Sequence, residues 1–419
     1  MDRAHEAAPR CILSGGTIVT PDAVIEGGSV VIEDGRIVAV TPHFYPTSTT
    51  PHEIVTHLSG QFVLPGLVCL HNDAVEKAIN PRPFANLPAP LALLTLDRSL
   101  AMAGVTTQFH AISFNDLPGK ERTVAGTAAM HDALVAFGAS GAALIDHHVL
   151  YRCDVRLAAS LDAILARLPQ ASARLVSFND HAPGQGQLRD LRKTAERLAP
   201  DLTGMSAAEW LTEREAFART SEGQIAQTYA ALRDATREYS ITLMSHDDDS
   251  AEKVDAMHAL GCRIAEFPVT TEAARHARER GMYISMGAPN AVRGGSISGN
   301  ASTLELAHRE LVDILVADYH APSLLYAAWL LVNANVLSLP RAVAMLTATP
   351  AAAVGLTDRG ALTPGMRADI IIVERGGAVP SVTQMYIRGE RRFIVETPVT
   401  QAMFTGINEQ DRYMTRQQM

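Results

Sequence analysis

At 419 residues the chain is too long for one small domain and suits a barrel of roughly 250 residues carrying insertions and a smaller companion domain. Its 47% hydrophobic and 19% charged residues, with a mean hydropathy of +0.05, describe a globular protein and exclude a disordered or fibrous one. The net charge of −9 argues against nonspecific binding to nucleic acid or anionic membrane, but a small anionic substrate held by local positive charge stays open.

No run approaches the ~18 apolar residues of a membrane span. The leading MDRAHEAAPR lacks the apolar core of a signal peptide, so a cytoplasmic location is expected. Cys11, Cys69, Cys153 and Cys262 are far apart with no CxxC pair, which points to reduced, buried thiols rather than a disulfide framework or a zinc knuckle.

In chain order, short β-rich runs come first: ILSGGTIVT, GSVVIEDGRIVAV and HLSGQFVLPG, separated by Pro, Gly and Asp-Gly turns that suit hairpins. The style returns near the end in ALTPGMRADIIIVER and VTQMYIRGERRF. We therefore expect residues 1–64 and 359–400 to build one small β-sandwich domain from both chain ends, with 401–419 as a polar tail. Between them, eight apolar runs (FVLPGLVCLH, GVTTQFHAI, GAALIDHHVL, RLVSFNDH, ITLMSHD, CRIAEFP, MYISMGAP and DILVADY) alternate with Ala-, Leu-, Arg- and Glu-rich helical segments. That alternation predicts an α/β fold in which residues 65–358 form a (β/α)8 TIM barrel. Residues 187–238 carry more helix than a plain barrel needs and are expected to form a lid or an oligomer contact.

Catalytic side chains of such a barrel sit just past the carboxyl ends of the strands. His71 and Asp73 follow the first run two residues apart, which puts both on one face of an extended segment, a spacing that suits shared ligation of a metal. Arg152 and Asp154 follow the third run; the carboxylate could bridge two divalent ions, or the two could form a surface ion pair. His181 and His246 follow the fourth and fifth runs, and imidazole is a common ligand whose second nitrogen needs an acceptor, with Asp180, Asp247 and Asp248 at hand. Asp318 ends the last run. It is placed to take a proton from metal-bound water, or to cap the helix that follows, while His320 reads as a surface residue.

This order of residues, H-x-D after the first strand, a carboxylate, two separated histidines and a final Asp, resembles the amidohydrolase superfamily. Longer runs make the resemblance more specific: LPGLVCLHNDAVEKAINPRP, RCD, NDHAPGQGQ, EFPVTTEAA, MGAPNAVRGGSISGN, ADYHAPSLL and GALTPGMRADIIIV are similar to the PhnM family, the ribose 1-methylphosphonate 5-triphosphate diphosphatases of the carbon-phosphorus lyase pathway. The similarity runs from about residue 11 to 395. It implies that His71, Asp73, His181 and His246 are metal ligands, Asp154 a bridging carboxylate, Asp318 a ligand and the catalytic acid/base, and Lys77, Arg82, Arg152 and Arg293 holders of phosphate oxygens.

It further implies two divalent ions, zinc, manganese or iron, an anionic phosphorylated substrate, and a homodimer. The chain departs from the family pattern at Leu150, Asp154 and Ile297, where the family has His, Glu and His. These departures imply either a different substrate or a replacement by His110, His147 or His148. The rival activity is hydrolysis of a cyclic amide, amidine or N-acyl group, and convergence of the four basic residues on the metal site would favour phosphate over it. A degenerate binding protein is a third reading, and it would require broken ligand positions.

Overall fold

A computed structural model describes residues 10–45, 52–82, 85–116, 122–180, 182–184, 186, 206–296, 299–375 and 379–395. Contacts divide them into two compact units, one drawn from 1–69, 97–107 and 321–419, the other from 70–96 and 108–320.

The first strands are β1 (Arg10–Val19), β2 (Val24–Glu33), β3 (Arg36–Thr41), β4 (Glu53–His57) and β5 (Phe62–Pro65). Asp34 and Gly35, both at positive φ (47° and 74°), form the two-residue turn between β2 and β3 that the Asp-Gly pair requires.

The eight apolar runs become eight strands: β6 (Leu67–Asn72), β7 (Val105–Phe114), β8 (Asp146–Asp154), β9 (Arg174–Asn179), β10 (Thr242–His246), β11 (Cys262–Glu266), β12 (Tyr283–Gly287) and β13 (Ile314–Val316). They pair in sequential order in one parallel sheet, the TIM barrel of the expected fold class. Every residue of β6 and β13 is buried, which suits strands covered on both faces. An isolated parallel bridge between Asn72 and Asp318 joins the two ends of the sheet. In it the Asp73 N–H donates to the Asp318 carbonyl (2.8 Å) and the Asp318 N–H to the His71 carbonyl (3.1 Å). Residues singled out for their chemistry therefore also close the barrel.

The last strands, β14 (Ile370–Glu374), β15 (Ser381–Ile387) and β16 (Glu390–Ile394), join the first five in an eight-stranded mixed sheet in which β14 pairs antiparallel with β5. Leu13, Ile18, Val30, Ile32, Val63, Ile370, Ile372 and Tyr386 form its apolar core. Both chain ends thus contribute to one small β domain.

Two helices, Ala207–Thr220 and Glu222–Tyr239, fall in the predicted insertion between β9 and β10, and the first opens with a Ser206/Glu209 capping box. Residues 187–205 of that insertion and the tail 401–419 lie outside the described residues.

Candidate active site

Five strands deliver charged side chains to the carboxyl end of the barrel. Glu266, the last residue of β11 and completely buried, is the centre of the arrangement. Its Oε1 lies 2.7 Å from Nδ1 of His71, and its Oε2 lies 2.8 Å from Nδ1 of His246. Burial opposes the charge on Glu266, yet the two imidazoles hold its carboxyl well below the usual range. An ionised carboxylate only accepts, so the proton of each ring sits on Nδ1 and each Nε2 faces the cleft. The two rings lie 6.3 Å apart at a 13° interplanar angle, as a carboxylate gripping one ring with each oxygen requires.

On the open side, His71 Nε2 is 3.2 Å from Asp73 Oδ1, and one donor atom from each of His71, Asp73 and Asp318 lies within 4.8 Å of the others. One imidazole and two carboxylates are a donor set that fits a zinc, manganese or iron ion. Burial disfavours the charged form of His71, but Glu266 and Asp73 raise its pKa well above the ordinary value; a divalent ion at Nε2 would displace that proton. Desolvation likewise opposes charge on Asp73, and His71 and Arg152 nevertheless keep its carboxyl well below the usual range. The Asp318 carboxyl is pushed up, by burial first and by its neighbour Asp73, against the pull of His71 and Arg152. The two aspartates thus differ in proton affinity although they share one cleft.

Arg152 completes the cluster from β8, its Nη1 3.2 Å from Asp73 Oδ1 and its Nη2 3.2 Å from His246 Nε2. His71, Asp73, Arg152, His246 and Asp318 line a cleft of about 290 Å3 together with Asn290, Arg293, Ser296, Asn300 and Tyr319.

Three residues just past strand ends, Asp247 and Phe267 directly after β10 and β11 and Asp318 two residues after β13, have φ of 55°, 53° and 54°. Left-handed backbone at non-glycine residues costs of order 1–3 kcal/mol each and persists only where the surroundings enforce it. Here hydrogen bonds enforce it, from Asp247 N–H to the Glu266 carbonyl (2.9 Å), from Phe267 N–H to the Ser285 carbonyl (2.9 Å) and from Asp318 N–H to the His71 carbonyl. The turn at Phe267 sets its ring 5.2 Å from that of His71 and 5.6 Å from that of His246, an apolar wall on both imidazoles.

Of the residues marked in the sequence, the structure brings His71, Asp73, Arg152, His246, Arg293 and Asp318 to the cleft. Asp154 does not line it. Its Oδ1 accepts from the Arg156 N–H (3.1 Å), and Arg156 in turn grips Asp180 through Nε (2.7 Å) and Nη2 (3.0 Å) and reaches the Ala218 carbonyl and Glu222 of the insertion helices. Asp180 is therefore an Arg156 partner. Lys77 and Arg82 are exposed and do not line the cleft, and Glu76 beside Lys77 pairs with Arg122.

His320 is exposed. His181 and Ile297 lie outside the described residues. Leu150 is buried. His110 bonds His147 (2.8 Å) and His148 bonds Ser172 (2.9 Å), and none of the three histidines lines the cleft. Glu266 was not singled out from the sequence, although it ends its run CRIAE just as His246 ends ITLMSH. Asp248, considered as an acceptor for a histidine, accepts instead from the Ser245 hydroxyl.

A parallel barrel with imidazole and carboxylate ligand types at its strand ends defines a hydrolase class, and the chain belongs to the amidohydrolase superfamily. The family model described as "Amidohydrolase family" matches residues 216–397. Within that class the chain is PhnM-like: it is 33% identical over 386 residues, 91% of its length and 100% of the relative's, to alpha-D-ribose 1-methylphosphonate 5-triphosphate diphosphatase of Escherichia coli (strain K12).

Solved structures share the fold at lower identity. A crystal structure of an amidohydrolase matches with a TM-score of 0.59 at 17% identity, covering 93% of this chain and 100% of that one. A β-aspartyl dipeptidase from Fervidobacterium islandicum AW-1 matches with a TM-score of 0.61 at 14% identity, covering 94% and 100%. Among the described residues, no helix is long and apolar enough to cross a membrane.

Two outcomes follow from the electrostatics. Glu266→Gln keeps the volume but cannot accept from both rings, so metal affinity, measured by competition with a chelator, should fall about 10–100-fold. Unchanged affinity would mean that the carboxylate does not set the histidines. Asp248, raised by burial from 3.8 to about 6, contributes stability that is fully present below its unfolded pKa and lost as pH rises through about 6. Denaturant unfolding should therefore show wild type losing about 2 kcal/mol relative to Asp248→Asn between pH 4 and 7.5, whereas a pH-independent difference would contradict the assignment.

Proposed function

We propose that the chain is a metal-dependent hydrolase of phosphonate metabolism that cleaves ribose 1-methylphosphonate 5-triphosphate to the 5-phosphate and pyrophosphate, or acts on a closely related phosphate ester. The observation that carries this reading is the 33% identity to the Escherichia coli diphosphatase along that protein's whole length. The guanidinium groups of Arg152 and Arg293 at the cleft support it, since each offers paired donors to phosphoryl oxygens.

In this reading His71, Asp73 and Asp318 hold a divalent ion, with His246 beside them and Glu266 orienting both imidazoles. When bound, the ion supplies a water acidified to a pKa of about 7 and a Lewis acid for a phosphoryl oxygen. Asp318 takes the water's proton at its carboxylate and returns it to the departing side. Arg152, fixed at its two Nη atoms, orients the anionic group, and Arg293 binds the outer phosphates. Water adds across the anhydride between the α and β phosphorus atoms: one oxygen is added to the sugar phosphate, and pyrophosphate leaves. The setting expected for such a pathway enzyme is the cytoplasm.

A second reading, hydrolysis of a C–N bond in a cyclic amide, amidine or N-acyl substrate, has one observation in its favour: Lys77 and Arg82 lie away from the cleft, so the anion clamp is half of that expected. Phosphorus NMR of the purified, metal-loaded protein with ribose 1-methylphosphonate 5-triphosphate separates the two. The expected result is pyrophosphate release, reduced about 10²–10⁴-fold in Asp318→Asn. Turnover confined to a panel of cyclic amides and N-acyl amino acids would replace the phosphorus reading by the C–N one.

A further inference from the structure

The position of Arg152 bears on how many ions the cleft accepts. A two-ion hydrolase site holds its metals roughly 3.5–4 Å apart, and both need ligands, with an anion shared between them. Among the described residues, which do not include His181, a second ion beside the His71, Asp73 and Asp318 group would draw on His246 Nε2, on Asp73 and on Asp247, whose Oδ2 lies 3.5 Å from His246 Nε2. The Arg152 guanidinium engages the first two, with Nη2 3.2 Å from His246 Nε2 and Nη1 3.2 Å from Asp73 Oδ1. His246 has little freedom to turn away, because Glu266 fixes its other nitrogen at 2.8 Å.

Two carboxylates that could have supplied the shared anion are committed elsewhere. Both oxygens of Glu266 are occupied by imidazoles, and Asp154, expected as the bridge, is turned to the Arg156 N–H and does not line the cleft. A guanidinium is a planar, delocalised cation whose paired donors suit carboxylate and phosphoryl oxygens. The Arg152 side chain is largely buried, at 12% exposure, and only two of its five N–H groups are engaged by Asp73 and His246, with no partner for Nε among the described residues.

We infer that the cleft takes one divalent ion, on His71, Asp73 and Asp318, and that the Arg152 guanidinium is a built-in second cation, occupying the ground between Asp73 and His246 and binding a phosphoryl oxygen of the substrate. The inference rests on reading the site as that of a metal-dependent hydrolase, and it predicts a stoichiometry that activity measurements alone do not reveal.

The test is metal counting on the full-length protein. Wild type and the variants Arg152→Gln and Arg152→Lys are equilibrated with manganese(II), passed through a desalting column, and assayed by elemental analysis and electron paramagnetic resonance. Wild type and Arg152→Lys should hold one ion per chain with the six-line spectrum of an isolated manganese. Arg152→Gln, which removes the cation and its contact with His246 Nε2, should approach two, with the exchange-coupled spectrum of a pair.

Two ions in wild type would overturn the inference and leave the hydrolase reading standing. No ion in wild type would remove both. A folded Arg152→Gln that stays at one ion would overturn the role given to the guanidinium, and the wild-type count decides the stoichiometry even if that variant fails to fold.

Discussion

Everything at the mouth of this barrel depends on one buried carboxylate. Glu266 has no solvent exposure and spends each oxygen on a different imidazole, that of His71 from β6 and that of His246 from β10. A lone carboxylate in such a place would be costly, and removing one of its partners would leave a buried charge uncompensated, which costs about 3–5 kcal/mol. The three residues are therefore fixed together. Because Glu266 accepts hydrogen bonds from both Nδ1–H groups, both Nε2 atoms are aimed at one cleft before any ligand arrives, which is the preorganisation that a metal site or a reacting anion needs.

The backbone is arranged to keep that geometry. Asp73 and Asp318 exchange main-chain hydrogen bonds with each other and with His71 at the bridge joining the ends of the sheet, so displacing the candidate ligands would open the barrel. Left-handed turns at Asp247, Phe267 and Asp318 are tolerated there for the same reason, and they aim the side chains that follow His246, Glu266 and Ala317. A second charged cluster, Arg156 with Asp180 and Glu222, ties the ends of β8 and β9 to the insertion helices, and it draws Asp154 into its own network.

Much of this was legible in the sequence, and what was not has physical causes. The eight barrel strands could be read because each is an apolar run ended by polar residues, and β6 with its sequence LVCLHN is buried throughout. His71, Asp73, His246 and Asp318 could be read because strand parity and strand ends decide which side chains reach the mouth. Asp154 has the same parity as Arg152, yet the turn after β8 offers it the Arg156 N–H; that competition is tertiary and leaves no mark in the spacing. Lys77 and Arg82 lie beyond the strand end, where parity gives no direction. Glu266 obeyed the strand-end rule, but its importance comes from two histidines 195 and 20 residues away, a relation that only the fold creates.

The central claim is that Glu266 presents His71 to a divalent ion shared with Asp73 and Asp318. The most direct measurement is anomalous diffraction at the metal edge from crystals of the manganese- or zinc-loaded protein. The account predicts a peak within about 2.0–2.2 Å of His71 Nε2, in contact with the carboxylates of Asp73 and Asp318, with the Glu266 bonds to both Nδ1 atoms intact. An ion bound elsewhere, or one ligated directly by Glu266 with the imidazoles turned away, would contradict it.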